Sequence, residues 1–102
     1  MRIKIKQDGV VSGDAFATLQ TWVEEHPDDV ADSFIATSAD HHEIPICFQF
    51  QYGWMLGCHR LFMYSPISDD IISFFAEDFT DIGKWVFNTC YKAFPRGYEI
   101  YL

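Results

Sequence analysis

The most hydrophobic stretch of the chain, Ile44 to Tyr64, alternates strictly in its first half. Its apolar face consists of every second residue, namely Ile46, Phe48, Phe50 and Tyr52. A period of two is typical of a β-strand with one apolar face. Gly53 offers a turn, and the return arm to Tyr64 carries bulky apolar residues at both parities. The pattern predicts a β-hairpin whose second strand is central in a sheet and covered on both faces.

Two shorter stretches near the ends of the sequence also alternate. Arg2 to Lys6 places two isoleucines between basic residues, and Tyr98 to Leu102 alternates in the same way. Both stretches predict half-buried strands. Lysines on the first strand disfavour pairing with another chain, as is usual for a strand at the edge of a sheet.

Four segments between these strands are predicted to be helices. The first is capped by Ser12 or Asp14 and stops near His26, before Pro27. The second runs from Asp28 to about Thr37, although residues 33–37 also fit a strand. The third begins at Ser65-Pro66, and its buried side consists of Ile67, Ile71, Ile72, Phe75 and Phe79.

The fourth predicted helix runs from Thr80-Asp81 to about Phe94. Its expected core residues are Ile82, Trp85, Val86, Cys90 and Ala93, and its expected outer residues are Lys84, Asn88 and Lys92. Together the segments predict an α+β fold, in which a small, mostly antiparallel sheet packs against three to four helices. A chain of 102 residues is expected to form a single globular domain, residues 1–102.

The charge is strongly acidic and unevenly distributed. Fifteen acids oppose seven bases, which gives a formal net charge of −8. No Lys or Arg occurs between Lys6 and Arg60, although nine acids do, and Asp69 to Asp81 is a second acidic group without a base. The negative electrostatic field of these acids repels nucleic acid and anionic membranes and attracts basic partners. The alternative is that the acids only keep an aromatic-rich chain in solution.

The cysteines and histidines do not form a recognisable metal or catalytic motif. The three cysteines, at positions 47, 58 and 90, lack paired spacing, so neither a disulfide framework nor a metal is expected. Cys58 and His59 are adjacent on a predicted strand, so their side chains point to opposite faces and cannot form a dyad. We therefore expect no enzymatic activity and no cofactor. The sequence begins without a secretory signal, which favours a cytoplasmic location.

Aromatic residues are the remaining candidates for a binding surface. Trp54, Phe87, Tyr91, Tyr98 and Tyr101 exceed what the core of a small domain requires. Tyr and Trp are frequent in the energetically dominant parts of interfaces. Packing in the core is the alternative for each ring, and dimerisation through exposed rings is another.

These observations predict a small acidic protein that binds a basic site on a protein partner. An immunity protein against a nuclease-type toxin, or a phage-type inhibitor of a nucleic-acid-handling machine, works in this way. The predicted partner-binding residues are Glu24, Glu25, Asp28, Asp29, Asp32, Asp69, Asp70 and Asp78. The alternative is a small enzyme or ligand-binding module with a pocket near the hairpin, beside Cys58 and His59.

Overall fold

The computed structural model describes residues 1–25, 32–53, 58–64, 71–76 and 79–102, and for residues 50–53, 58–64 and 71–76 it describes the backbone. The elements in these ranges are β1 (Arg2–Ile5), α1 (Gly13–Glu24), β2 (Asp32–Ser38), β3 (Ile46–Gly53), β4 (Cys58–Tyr64), β5 (Ile71–Ala76), α2 (Phe79–Ala93) and β6 (Tyr98–Tyr101). The strands form one antiparallel sheet in the order β1-β6-β2-β3-β4-β5. The predicted α+β class is confirmed.

The strands predicted from alternation are all present in this sheet. β1 pairs with β6 alone among the described strands and therefore lies at an edge, as its lysines predicted. β3 and β4 form the predicted hairpin, and β4 is an interior strand because it also pairs with β5. Gly53, expected to offer a turn, is instead the last residue of β3 and pairs with Cys58, whereas residues 54–57 lie outside the described ranges.

The prediction of three to four helices is wrong for the described part of the chain, which contains two. Residues 32–38, assigned to a second helix, form β2, in agreement with the strand alternative for residues 33–37. Residues 71–76, assigned to the helix after Ser65-Pro66, form β5. Residues 28–31 and 65–70 lie outside the description. Pairing of β2 and β5 with neighbouring strands outweighs the helical spacing of their apolar residues.

The two observed helices follow the sequence pattern closely. Ser12 caps α1, since its hydroxyl accepts a 3.1 Å hydrogen bond from the Ala15 amide. In α2 the expected outer residues Lys84, Asn88 and Lys92 are exposed. Ala93, predicted in the core, is exposed as well, and Phe87 is buried, so the apolar face is rotated towards Phe87.

Both helices cover the same face of the sheet. Phe34 of β2 and Phe48 of β3 are cross-strand partners with stacked rings 5.0 Å apart. Trp22 of α1 meets Phe34 at 5.1 Å, and Trp85 of α2 meets Phe48 at 6.0 Å. The core therefore lies between the helices and the sheet, where burial of these rings stabilises the fold.

The other face of the sheet, which we call the open face, faces away from the helices. The cross-strand register places on it Arg2, Lys4, Glu99, Tyr101, Ile35, Thr37, Cys47 and Gln49. Ile35 and Gln49 are exposed there, whereas Thr37 and Glu99 are buried. The part of the open face at β6 and the end of β2 is thus covered by another segment.

Candidate functional site

Contact between one aromatic pair brings three of the predicted binding carboxylates to one end of the molecule. Trp22 lies in the last turn of α1 and packs edge-on against Phe34, near the start of β2. Glu24 and Glu25 follow Trp22 in the chain, and Asp32 precedes Phe34. All three acids are exposed. We call Glu24, Glu25 and Asp32 the acidic end.

The acids of the acidic end lie where the helix disfavours them. Glu24 is the last residue of α1, Glu25 is its C-cap, and no basic residue lies in the last turn. The helix dipole favours cations at this terminus, by about 0.3–1 kcal/mol for each charge. Glu24 gains one local contact, a 3.0 Å hydrogen bond from the Gln20 amide. Helix stability alone therefore does not account for two glutamates at this position.

The other predicted binding acids are not part of the description. Asp28 and Asp29 belong to residues 26–31, between the two halves of the acidic end, and Asp69, Asp70 and Asp78 belong to residues 65–70 and 77–78. Their positions, and the idea that five carboxylates share one surface, remain predictions.

A cluster around Glu99 is a feature that the sequence pattern did not reveal. The Glu99 carboxylate accepts a 2.6 Å hydrogen bond from Tyr101 and lies 3.0 Å from Nε2 of His41. Lys4 Nζ is 3.8 Å away and Arg2 is 4.0 Å away. The hydrogen bond from Tyr101, followed by the positive charges around it, holds the pKa of Glu99 below its ordinary value.

The loop that follows β2 explains why Glu99 is buried. His41 has a left-handed backbone with φ 59°, and from there its ring reaches back over the open face to Glu99. Asp40 fixes the loop by accepting hydrogen bonds from the Ser38 hydroxyl and the His42 amide. These two bonds, that from the amide first, lower the pKa of Asp40. Glu99 is therefore a structural acid that joins β1, β6 and this loop.

The described thiols and histidines do not converge. Cys90 is fully buried and Cys47 is half-buried, and both are free. In the described ranges, no group of three or more His, Cys, Asp or Glu side chains is placed to hold a metal ion. The side chains of Cys58 and His59 lie outside the description, so the alternative of a pocket beside them remains a prediction.

The aromatic candidates separate into core and surface. Phe87 and Tyr98 are buried, and the Tyr98 hydroxyl donates a 3.4 Å hydrogen bond to the Phe87 carbonyl. Burial raises the pKa of Tyr98. The idea that these two rings serve an interface is therefore wrong. Tyr91 is 43% exposed and Tyr101 is partly exposed, whereas Trp54 lies outside the described residues.

Neither of the two described helices is long and apolar enough to cross a membrane. No protein-family model, no curated protein and no solved structure matches the chain. Among the described residues, the exposed carboxylates of the acidic end are the feature most suited to binding a partner.

Proposed function

We propose that this chain is a small, non-enzymatic binding protein that docks carboxylates on a basic site of a protein partner. Candidate partners are a nuclease-type toxin, which the chain would neutralise as an immunity protein, or a nucleic-acid-handling complex, which it would inhibit by mimicking phosphate charge. Direct binding to nucleic acid or membrane is disfavoured by the net charge of −8. The proposal includes a cytoplasmic location and no cofactor.

One observation carries the proposal: the packing of Trp22 on Phe34 joins acids from two elements at one exposed end. Acids that served only solubility would do so equally well if they were spread over the surface. At the acidic end they are held by a helix terminus and a strand that share the Trp22–Phe34 contact. Because the backbone that carries these carboxylates is already ordered, binding a basic partner costs the ordering of their side chains but not of the segments that hold them.

The competing explanation, that the acids only provide solubility, is tested by charge reversal. The partner is first recovered with the parent chain as bait, and its affinity and association rate are measured at low and moderate salt. The double variant Glu24→Lys/Glu25→Lys is expected to keep its fold, because lysine suits the end of a helix. We expect slower association and a weaker salt dependence, since rim charges act mainly on the association rate.

The control is Glu43→Lys, which changes an exposed carboxylate in the loop after β2, at the other end of the sheet. A second comparison reverses Asp69, Asp70 and Asp78, because that group is an alternative epitope. Wild-type binding by both the Glu24/Glu25 variant and the Asp69/Asp70/Asp78 variant, at every salt concentration, would reject the proposal.

A further inference from the structure

Three of the seven bases of this acidic chain lie at the end of the sheet opposite the acidic end. A cleft of about 420 Å³ opens there between the end of β1 and the turn before β6. Lys4, Lys6 and Arg96 line it, together with Gln7, Ala39 and Glu99. Ile5 and Tyr98 also border it, but both are buried and their side chains belong to the core on the helix side of the sheet. Three of the seven bases therefore share one cleft.

Gly97 is the residue that brings Arg96 to this cleft. Its backbone has φ 114°, and a Cβ at this position would lie 3.0 Å from the Ile5 carbonyl oxygen and 3.5 Å from the Gln7 amide nitrogen. A 3.1 Å hydrogen bond from the Ala39 amide to the Gly97 carbonyl fixes the turn from the other side. This close approach holds Arg96 beside the segment that carries Lys6.

Two of these bases have no acidic partner among the described residues. Among the described residues, neither Lys6 nor Arg96 has a carboxylate oxygen within 4.0 Å, although the chain has more than twice as many acids as bases. Arg2 and Lys4, by contrast, both approach Glu99. The structure thus leaves two cations in the cleft without a described carboxylate at ion-pair distance, although Asp40 and Glu43 line a neighbouring cleft that Arg96 also borders.

Glu99 does not cancel this positive charge. Its carboxylate is already engaged by Tyr101, His41, Lys4 and Arg2. Because three basic side chains and one acidic side chain line the cleft, its lining carries a net positive charge. Repulsion from the acids elsewhere is screened over about 8 Å at physiological salt. The cleft is consequently a local positive site on a negative protein.

We propose that this cleft binds a small organic molecule through a phosphate or carboxylate group. The Arg96 guanidinium has the planar donors that pair with two oxygens of such a group, and the Lys6 ammonium adds a flexible charge. The volume suits a small metabolite, since ligand pockets measure roughly 300–1,000 Å³. This site is separate from the acidic end and does not depend on the function proposed for it.

Calorimetric titration with pyrophosphate and, separately, with citrate tests the proposal at low salt. The parent chain is expected to bind one of the two at a single site. Higher affinity for pyrophosphate would indicate that the cleft recognises phosphate, and higher affinity for citrate would indicate carboxylate. Lys6→Gln/Arg96→Gln is expected to weaken binding about tenfold or more, as for the loss of hydrogen bonds to charged groups. The matched control is Lys84→Gln/Lys92→Gln, which removes the same charge from the exposed face of α2.

Circular dichroism establishes that both variants are folded before they are titrated. Loss of binding in the cleft variant, with binding retained by the α2 control, supports the site. Equal loss in both variants would show a general charge effect and overturn the proposal. Failure of the parent chain to bind either anion at millimolar concentration would overturn it as well.

Discussion

The Tyr101 hydroxyl donates a 2.6 Å hydrogen bond to Glu99 Oε2, two residues earlier on the same strand. Both side chains lie on the open face, because alternate residues of a strand point to the same side. This bond is the largest influence that lowers the pKa of Glu99, ahead of the nearby positive charges. It stabilises the ionised form of an acid at the centre of a β1–β6–loop junction.

Replacement of Tyr101 with Phe is therefore expected to reduce stability in a pH-dependent way. The folded-state pKa of Glu99 lies below its ordinary value of 4.5, so its stabilising contribution is present above that pH and is lost on acidification. Y101F raises this pKa and should cost about 1–2 kcal/mol at pH 7. The difference from the parent should shrink below pH 4.5. Urea unfolding at pH 7 and at pH 3 measures both quantities.

Tyr91→Phe is the matched control for Y101F. Tyr91 is exposed, and its hydroxyl makes no hydrogen bond to another described residue. We expect Y91F to leave the free energy of unfolding unchanged within about 0.5 kcal/mol at both pH values. Equal losses in Y101F and Y91F would contradict the role assigned to the Glu99 bond.

Gly97→Ala is expected to destabilise the fold by about 1–3 kcal/mol. Its φ of 114° is a conformation that L-residues rarely adopt, and its added Cβ would press on the Ile5 carbonyl. Gly13→Ala is the control, since nothing lies within 4 Å of a Cβ there and its φ is not positive. We expect G13A to leave the free energy of unfolding unchanged or to raise it by up to about 1 kcal/mol. Thermal unfolding of both variants tests the contrast, and a G97A variant as stable as the parent would refute it.

Gly83 controls the contact between the two helices. A Cβ on Gly83 would lie 2.5 Å from the Phe16 ring of α1. That ring cannot move freely, because it packs edge-on against Phe79 at 5.0 Å and stacks near Phe87 at 6.2 Å. Alanine gains about 1 kcal/mol of helix propensity, but overpacking costs about 1–3 kcal/mol. We therefore expect G83A to lose stability on balance.

A double-mutant cycle tests this explanation for Gly83. In G83A/F16L the smaller leucine leaves room for the added methyl group, so the combined loss should be smaller than the sum of the single losses by at least about 0.5 kcal/mol. Additive losses from denaturant unfolding would show that the Phe16 ring is not the obstacle.

Cys90 should resist alkylation in the folded protein. Its thiol is fully buried in α2, and burial raises its pKa to about 12, so little thiolate is present at pH 8. Half-buried Cys47 on the open face is the internal comparison and should react first. Iodoacetamide labelling followed by peptide mass spectrometry assigns each site. Labelling of Cys90 at the rate of Cys47 without denaturant would contradict the expected protection.

The sequence predicts the parts of the fold that depend on local pattern. Strict alternation identifies the β3–β4 hairpin, and basic residues between isoleucines identify β1 as an edge strand. Ser12 marks the start of α1 for a local reason too, because its hydroxyl meets an amide three residues away. In each case the determining residues are close together in the chain.

Where the prediction of a helix is wrong, pairing with a neighbouring strand decides the structure. Ile71, Ile72 and Phe75 fit a helical face, but the same run is rich in β-branched and aromatic residues that suit a strand. Periodicity alone does not distinguish these cases in a short apolar run. The presence of β4 beside residues 71–76 selects the strand.

The candidate sites differ in how much of each can be read from the sequence. The acids of the acidic end are visible in the sequence, but their approach depends on Trp22 meeting Phe34. The Glu99 cluster and the cleft at Arg96 were not predicted, since both join residues that are far apart in the chain. Alternation at the C-terminal strand predicted one exposed face, whereas the loop carrying His41 covers Glu99.

The position of β6 also has a consequence for biosynthesis. β6 is the last of the described strands to be translated, yet it lies between β1 and β2, and Ile3 pairs with Ile100 across nearly the whole sequence. Pairings between such distant residues slow folding, because a long loop must close first. Until β6 leaves the ribosome, β1 has no partner among the described strands, and β2 lacks its pairing with β6. The nascent chain, rather than the finished fold, is thus the species most exposed to aggregation.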